Sequence, residues 1–282
     1  MNNILKDFSP AALVAAIQDN TSEWYDYLSR SPQVERYDTP QLKWFISGVS
    51  YPWLNPILRT QLTADTIDDV IESTLAHFRS RNVLDLAWFS EHSGCTCPEI
   101  EPEAQPADLG ERLLAHGLEV APPMPGMAAD LLALNEDIAM PADLKIVRVG
   151  EASTLHDFVR VSLAGFGIPQ TSENAYFTLL DGLGYQLPLW NYVGYLKGMP
   201  VGIAQLFLGA GVAGMYWVCT LPEARGQGIG SSMTLAPLQE ARTMGYRTGV
   251  LNASQMGEGI YRRLGFQEYC RSGYYFLSEP HV

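Results

Sequence analysis

The residues with the clearest chemical capacity lie late in the chain, in the run Tyr216-Trp-Val-Cys-Thr-Leu-Pro-Glu-Ala-Arg225-Gly-Gln-Gly228-Ile-Gly230. A strand pattern ends there, a glycine-rich turn follows, and a helical pattern begins at once. Such a turn presents consecutive backbone N–H groups at a helix N-terminus, where the macrodipole also favours an anion. Gly226, Gly228 and Gly230 remove the Cβ atoms that would hold a pyrophosphate off that backbone. The rival is a dinucleotide-binding turn, which wants Gly-x-Gly-x-x-Gly and an acid about 20 residues on. Gly226-x-Gly228 leads to Ser231 instead of glycine, and the strand pattern Thr248–Ala253 ends without a carboxylate. Only about 50 residues follow, too few for the rest of that fold.

Two further segments complete the pattern: Leu251-Asn-Ala-Ser254, then Ile260-Tyr261-Arg-Arg-Leu-Gly265-Phe266. With Arg225-x-x-Gly228-x-Gly230 and its lead-in Leu221-Pro-Glu-Ala, they make the chain resemble the GNAT acetyltransferases over about residues 144–280. The resemblance implies transfer of an acetyl group from acetyl-coenzyme A to a primary amine of a small molecule or peptide, without a metal. It assigns the coenzyme A pyrophosphate to the amides of Arg225, Gly226, Gln227, Gly228, Ile229 and Gly230. It implies that backbone groups of Val218 and Thr220 pair with the pantetheine arm, and that Asn252 hydrogen-bonds the cofactor from a facing strand that splays away. Tyr261 is implied as the general acid that protonates the leaving thiolate; a phenol, with a pKa near 10, is protonated at neutral pH. By itself, the same tyrosine reads more readily as a core aromatic of a short amphipathic helix; the proton-donor role comes with the motif around it.

Arg262 and Arg263 either pair with coenzyme A phosphates, Arg263 in particular as a cofactor-binding residue, or form a solvated helix face. Between Glu223 and Arg271 there are six basic residues against four acidic ones, a locally positive segment in a chain of net charge −13. The general base is not visible, because Met215–Thr220 contains no carboxylate; Glu173 and Asp181 are the weak alternatives. That gap keeps a second reading open, an acyl-coenzyme A-binding sensor that has lost catalysis. Acyl groups other than acetyl also stay open, as does the acceptor: Trp190, Tyr192, Tyr274 and Tyr275 either line a pocket or fill the core. Pro237, inside the helix after the glycine turn, should kink it two turns beyond the phosphate site.

The elements that must position these residues follow from periodicity. In the second half the patterns give a strand at Leu144–Val149 and helices from Glu151 to about Phe166 and from Ser172 to the Gly182–Gly184 region. A hairpin turning at Lys197–Pro200, a strand Ala213–Thr220, a helix Ile229–Met244 and a strand Arg247–Ala253 come next. A short helix Gly257–Leu264 and a closing pair of strands in Phe266–Leu277 end the order. The first half gives a helix from Pro10, capped by Ser9, to about Asn20 and a strand Leu42–Gly48. After a Pro52–Pro56 loop come a helix capped by Thr63 or Asp65, a strand Asp85–Glu91 and a helix Leu109–His116. Met127–Leu134 is a strand or a short helix. Glu111-Arg-Leu-Leu-Ala-His-Gly117-Leu118 has the rhythm of the Tyr261 helix, with Leu113 opposite Tyr261.

The fold expected is therefore α/β with a mixed sheet, the GNAT acyl-CoA N-acyltransferase fold in two tandem GNAT-like domains. Residues 1–140 would be a degenerate domain without a cofactor motif that walls the acceptor cleft, and 141–282 the catalytic domain. Hydrophobic residues make up 47% of the 282, enough for two cores. The acidic balance disfavours nucleic acid. No stretch suits a membrane span and no signal core is evident, so a cytoplasmic location is expected, with a homodimer left open. Cys95-Thr-Cys97 lacks a partner pair at zinc-ligand spacing, so reduced thiols are expected and no metal.

Overall fold

A computed structural model of the protein describes residues 4–90 and 108–277. The Ser93–Ala107 loop, with Cys95 and Cys97, lies outside the described residues. The chain opens with α1 (Pro10–Leu28), where the Ser9 hydroxyl accepts a hydrogen bond from the Ala12 N–H at 3.4 Å. The helix runs past the expected end at Asn20 because Trp24, Tyr25 and Leu28 continue its buried stripe. Then follow β1 (Glu35–Asp38), β2 (Leu42–Ile46), β3 (Pro56–Thr60), α2 (Ile67–Ser80), β4 (Leu86–Ser90), α3 (Leu109–Ala115), β5 (Glu119–Val120) and β6 (Met124–Asp130).

Three of these strands, β1, β3 and the two-residue β5, go beyond the sequence expectation. β1 is polar and mostly exposed, so it carries no hydrophobic alternation. β3 starts on Pro56, inside the segment that its prolines mark as a loop; proline is tolerated as the first residue of a strand. Met127–Leu134, open between strand and helix, contributes its first residues to β6. Neither Thr63 nor Asp65 caps α2: Thr66 holds the N-cap position, and the Thr63 and Thr66 hydroxyls bond each other at 3.1 Å.

The second half runs β7 (Leu144–Arg148), α4 (Ala152–Phe166), α5 (Glu173–Asp181), β8 (Leu189–Leu196), β9 (Met199–Gly209), β10 (Val212–Thr220), α6 (Ile229–Thr243), β11 (Thr248–Asn252), α7 (Glu258–Leu264) and β12 (Gln267–Leu277). The order matches expectation except at its end. Instead of a pair of strands there is one, β12, and its neighbour comes from the first half. β6 lies between β11 and β12, pairing Thr248↔Asp130 through Asn252↔Gly126 on one edge and residues 267–272 on the other. Past an irregularity at Glu268/Cys270, β12 leaves that neighbour and lays Gly273–Leu277 along β4. Each half thus completes the sheet of the other, and the strands run β1-β2-β3-β4-β12-β6-β11-β10-β9-β8-β7, with β5 against β12.

One face of the second half is covered by α6 and α7, whose Ile229, Met233, Leu238, Tyr261 and Leu264 share a core with Met127, Leu206 and Leu251. The opposite face takes α4 and α5 and, beside them, α1 from the first half. The two halves also repeat each other locally. Gly117 and Gly265, at φ +85° and +104°, end α3 and α7, and Leu118 N–H bonds Leu113 C=O at 3.0 Å as Phe266 N–H bonds Tyr261 C=O. The first half closes the space between its own parallel strands β3 and β4. Trp88, fully buried, donates from its indole to Thr60 Oγ1 at 2.8 Å and shares a core with Leu113.

Candidate functional site

The site is built where β10 and β11 part. These parallel strands pair only at Ala213↔Gly249 and Gly214↔Val250. Beyond that point β11 keeps its pairing with β6 as far as Asn252, and β10 keeps β9, so among the described residues Tyr216–Thr220 has no strand partner on its β11 side. The divergence coincides with a bulge between Tyr216 and Cys219, where Trp217 takes φ +50°. A bulge bends one strand out of register, and a bulky residue at positive φ persists only where its surroundings hold it. Here the Trp217 ring is held by Phe166 at 4.8 Å and by Tyr176 and Tyr51, each at 5.6 Å.

After the bulge, Trp217 and Cys219 face α4, where the Cys219 thiol abuts Gly165. Val218 packs on the α6 core, and Thr220 Oγ1 lies beside Gly230. That Thr220 hydroxyl oxygen is buried without a hydrogen-bond partner among the described residues. Beyond it, Arg225 Nε donates to the Thr220 carbonyl at 3.1 Å and ties the turn to the strand end. Gly226 and Gly228 take φ +75° and +80°, and Gly228 occupies the N-cap of α6 with no side chain to cap the first amides. Ile229 is buried, whereas Arg225, Gly226 and Gln227 are exposed. The segment joining the halves crosses this turn: a Cβ on Gly228 would stand 2.4 Å from the Ala139 carbonyl oxygen.

Tyr261 reaches the parting from α7, nearly buried, its ring 6.0 Å from Phe266. Burial pushes its phenol well above the ordinary tyrosine range, and the Cys219 thiol across the strand gap adds to the shift. Burial raises Cys219 itself to about 11, against a smaller lowering by Arg225. Both groups therefore keep their protons at neutral pH.

Asn252 stands on the facing strand, as its assigned role requires, but its amide already donates to Thr21 Oγ1 of α1 at 3.1 Å, and its own oxygen is buried without a hydrogen-bond partner among the described residues. Of the two arginines on α7, Arg262 is paired with Glu258 and Glu268, both at 2.8 Å. Arg263 is exposed and makes no ion pair among the described residues, so it is the one free to meet an anion. Glu173 pairs with Arg160 and Gln170, and Asp181 accepts from Tyr185; both carboxylates have local surface partners. Trp190 stacks under Arg148 at 4.2 Å and Tyr192 donates to Glu240 at 2.7 Å, on the far side of the sheet from the bulge. Tyr275 packs in the first half's core near Gly110, whereas Tyr274 belongs to an aromatic cluster between the halves. Sequence reasoning missed Trp217, Cys219, Asn20 and Thr21. The latter two are near the amino terminus, and no local pattern ties them to a turn some 200 positions on.

Residues 190–268, which hold the bulge, the glycine turn and Tyr261, match the family of GNAT acetyltransferase domains. The chain carries a GNAT domain. No curated protein matches in sequence. The whole fold is shared with a GCN5-related N-acetyltransferase from Kribbella flavida, 18% identical, at a TM-score of 0.64 over 95% of this chain and 97% of that one. A tandem GNAT protein from the clavulanic acid biosynthesis pathway is similar over 99% of this chain and 98% of its own, at 13% identity and a TM-score of 0.55. A conserved protein of unknown function from Staphylococcus epidermidis is 16% identical with a TM-score of 0.60, over 86% of this chain and 93% of that one. The GNAT fold, in tandem form, accounts for the element order of both halves.

Proposed function

We propose that the protein is an acetyl-coenzyme A-dependent N-acetyltransferase acting on a primary amine of a small molecule or peptide. Residues 141–282 carry the chemistry, and residues 1–140 form a GNAT-like partner that binds no cofactor. The observation that carries this reading is the unpaired edge of β10 at Tyr216–Thr220, which leads into an uncapped, glycine-lined helix N-terminus with Tyr261 beside it. The fit to coenzyme A is supported by positive φ at Gly226 and Gly228 and by the orphaned Thr220 hydroxyl. The exposed, unpaired Arg263 supports it too. The amides of residues 225–230 hold the pyrophosphate, and the β10 backbone at Val218 and Thr220 aligns the pantetheine arm.

In the reaction the amine nitrogen attacks the thioester carbonyl carbon, and the C–S bond breaks with its electron pair on sulfur. Tyr261 gives that sulfur its proton, while the nitrogen loses one to solvent. Backbone N–H groups at the β10 bulge polarise the carbonyl as charge develops on its oxygen. The raised phenol pKa is supported by burial and suits a donor that must stay protonated until the thiolate forms. In the first half Leu113 stands where Tyr261 does, and Trp88 fills the space between the strands, which supports a partner without cofactor binding.

A second reading, an acyl-coenzyme A-binding protein without turnover, is favoured by the lack of a carboxylate on Met215–Thr220. One experiment separates the two: calorimetry with acetyl-coenzyme A, followed by thiol release in the presence of an amine panel. Binding with turnover supports the enzyme; binding with no turnover on any amine leaves the sensor.

A further inference from the structure

Residues 131–143 join β6 of the first half to β7 of the second, and this connector touches both helices that carry the candidate site. Its apolar positions Leu131, Leu134 and Ile138 sit on the core that also takes Ile229 of α6 and Tyr261 and Leu264 of α7. Asn135, Glu136, Asp137 and Ala139 between and beside them are exposed. A segment that buries every third or fourth residue belongs to the packed structure and is not a free linker.

At α7 the connector completes the end of the helix. A helix leaves the carbonyls of its last four residues without partners of its own. In α7 these belong to Tyr261, Arg262, Arg263 and Leu264. The first two accept from the Phe266 and Gly265 N–H groups, at 3.0 and 3.1 Å. The other two both accept from Asn135. Its backbone N–H donates to the Leu264 carbonyl and its side-chain amide to the Arg263 carbonyl, each at 3.1 Å. The Asn135 side-chain oxygen accepts from the Asp137 N–H at 3.1 Å, which holds the carboxamide in that orientation. Asn135 thus anchors the helix that bears Tyr261 about one turn beyond the phenol.

At α6 the same connector holds both ends. Glu136 accepts from Gln239 Nε2 at 2.8 Å and pairs with Arg242, whose guanidinium also donates to the Leu131 carbonyl at 3.0 Å. A little further on, the Ala139 carbonyl oxygen lies against Gly228 at the N-cap. Gly228 has no side chain with which to fix its turn, so this contact limits where the neighbouring amides can move. The connector therefore runs from the glycine turn to the Tyr261 helix. In the acetyltransfer reading these two elements meet the pyrophosphate and the thioester sulfur, opposite ends of one cofactor.

We propose that residues 133–139 form a strap that sets the spacing between the glycine turn and Tyr261, with Asn135 a positioning residue for the proton donor and Glu136 one for the turn. The proposal rests on the acetyltransfer reading above and adds how the join between the halves fixes both ends of the cofactor. Its test uses the full chain, acetyl-coenzyme A, and whichever of spermidine, glucosamine, 2-phenylethylamine or a lysine-containing peptide the parent acetylates. Asn135→Asp keeps the oxygen that receives the Asp137 N–H and removes the donor to the Arg263 carbonyl. In a protein with the parent's circular dichroism it should lower kcat about tenfold and leave the Kd for acetyl-coenzyme A unchanged. Asn135→Ser, which keeps a donor, should recover part of the loss. In a Tyr261→Phe background Asn135→Asp should change kcat by less than about twofold, because groups that act as a unit are not additive. Glu136→Gln should weaken coenzyme A binding about fivefold in calorimetry with kcat unchanged. The KM for S-acetylpantetheine, which lacks the pyrophosphate, should stay at the parent's value. An Asn135→Asp loss that persists in full in the Tyr261→Phe background, or parental coenzyme A binding by Glu136→Gln, overturns the strap while acetyl transfer stands. Cofactor binding without turnover on any acceptor removes acetyl transfer and the Asn135 role, and the Glu136→Gln isotherm then decides the strap's hold on the turn. Failure of the parent to bind coenzyme A removes both readings together.

Discussion

Tyr261→Phe deletes one oxygen and keeps the ring that packs on Phe266, so it separates the proton donor from the core aromatic. The expected outcome is a fall in kcat of about 10²- to 10⁴-fold with acetyl-coenzyme A affinity unchanged, read by steady-state kinetics and calorimetry. The pH dependence has a definite sign. The folded phenol titrates above its ordinary value near 10, so the acid stays protonated through the whole neutral and mildly alkaline range. Activity should therefore show no alkaline limb from Tyr261 below about pH 10. A limb in that range that disappears in Tyr261→Phe contradicts the assignment. Gly228 gives a complementary test: alanine there must accept φ +80° and a Cβ 2.4 Å from the Ala139 carbonyl oxygen. The expected cost is about 1–3 kcal/mol of stability, with weaker coenzyme A binding as the turn shifts. A thermal melt and a binding isotherm read the two effects separately.

At the scale of elements, α1 is an N-terminal helix that acts as part of the second half. Asn20, fully buried, donates to the Gly209 carbonyl at 2.9 Å and accepts from the Tyr216 hydroxyl at 2.7 Å. Thr21 accepts from Asn252 on β11 and lies 3.5 Å from the Tyr216 hydroxyl of β10, so one turn of helix grips both strands where they diverge. Asn20→Ala strands a buried carbonyl and a phenol, which should cost about 2–4 kcal/mol. Urea unfolding should show a lower midpoint with an unchanged slope. A midpoint within error of the parent would mean that α1 only rests on the sheet.

The molecule as a whole is tied by exchange. β6 belongs to the first half by sequence and to the second half's sheet by pairing; the end of β12 does the reverse. Neither half then holds a complete sheet without the other, and an open sheet with unpaired inner strands is unstable. Denaturation followed by tryptophan fluorescence and by circular dichroism should give one coincident transition. Residues 1–140 and 141–282, expressed separately, should each fail to unfold cooperatively. Two resolved transitions would show halves that stand alone.

The chemistry that depends on short stretches of chain is legible in the amino-acid sequence. Glycines at a strand-to-helix junction fix where an anion can approach the backbone. The α7 motif fixes where Tyr261 sits relative to its own helix, since both follow from local conformation. The polar β1 and the Pro56 start of β3 are not legible there, because edge position makes β1 a strand and pairing with β2 and β4 makes β3 one, without alternation in either. Tertiary structure alone decides three things: the continuation of α1 to Leu28, the exchange of β6 with the end of β12, and the aromatic cluster between the halves. Each joins residues more than a hundred positions apart, and periodicity within one segment carries no information about which distant surface it will bury against.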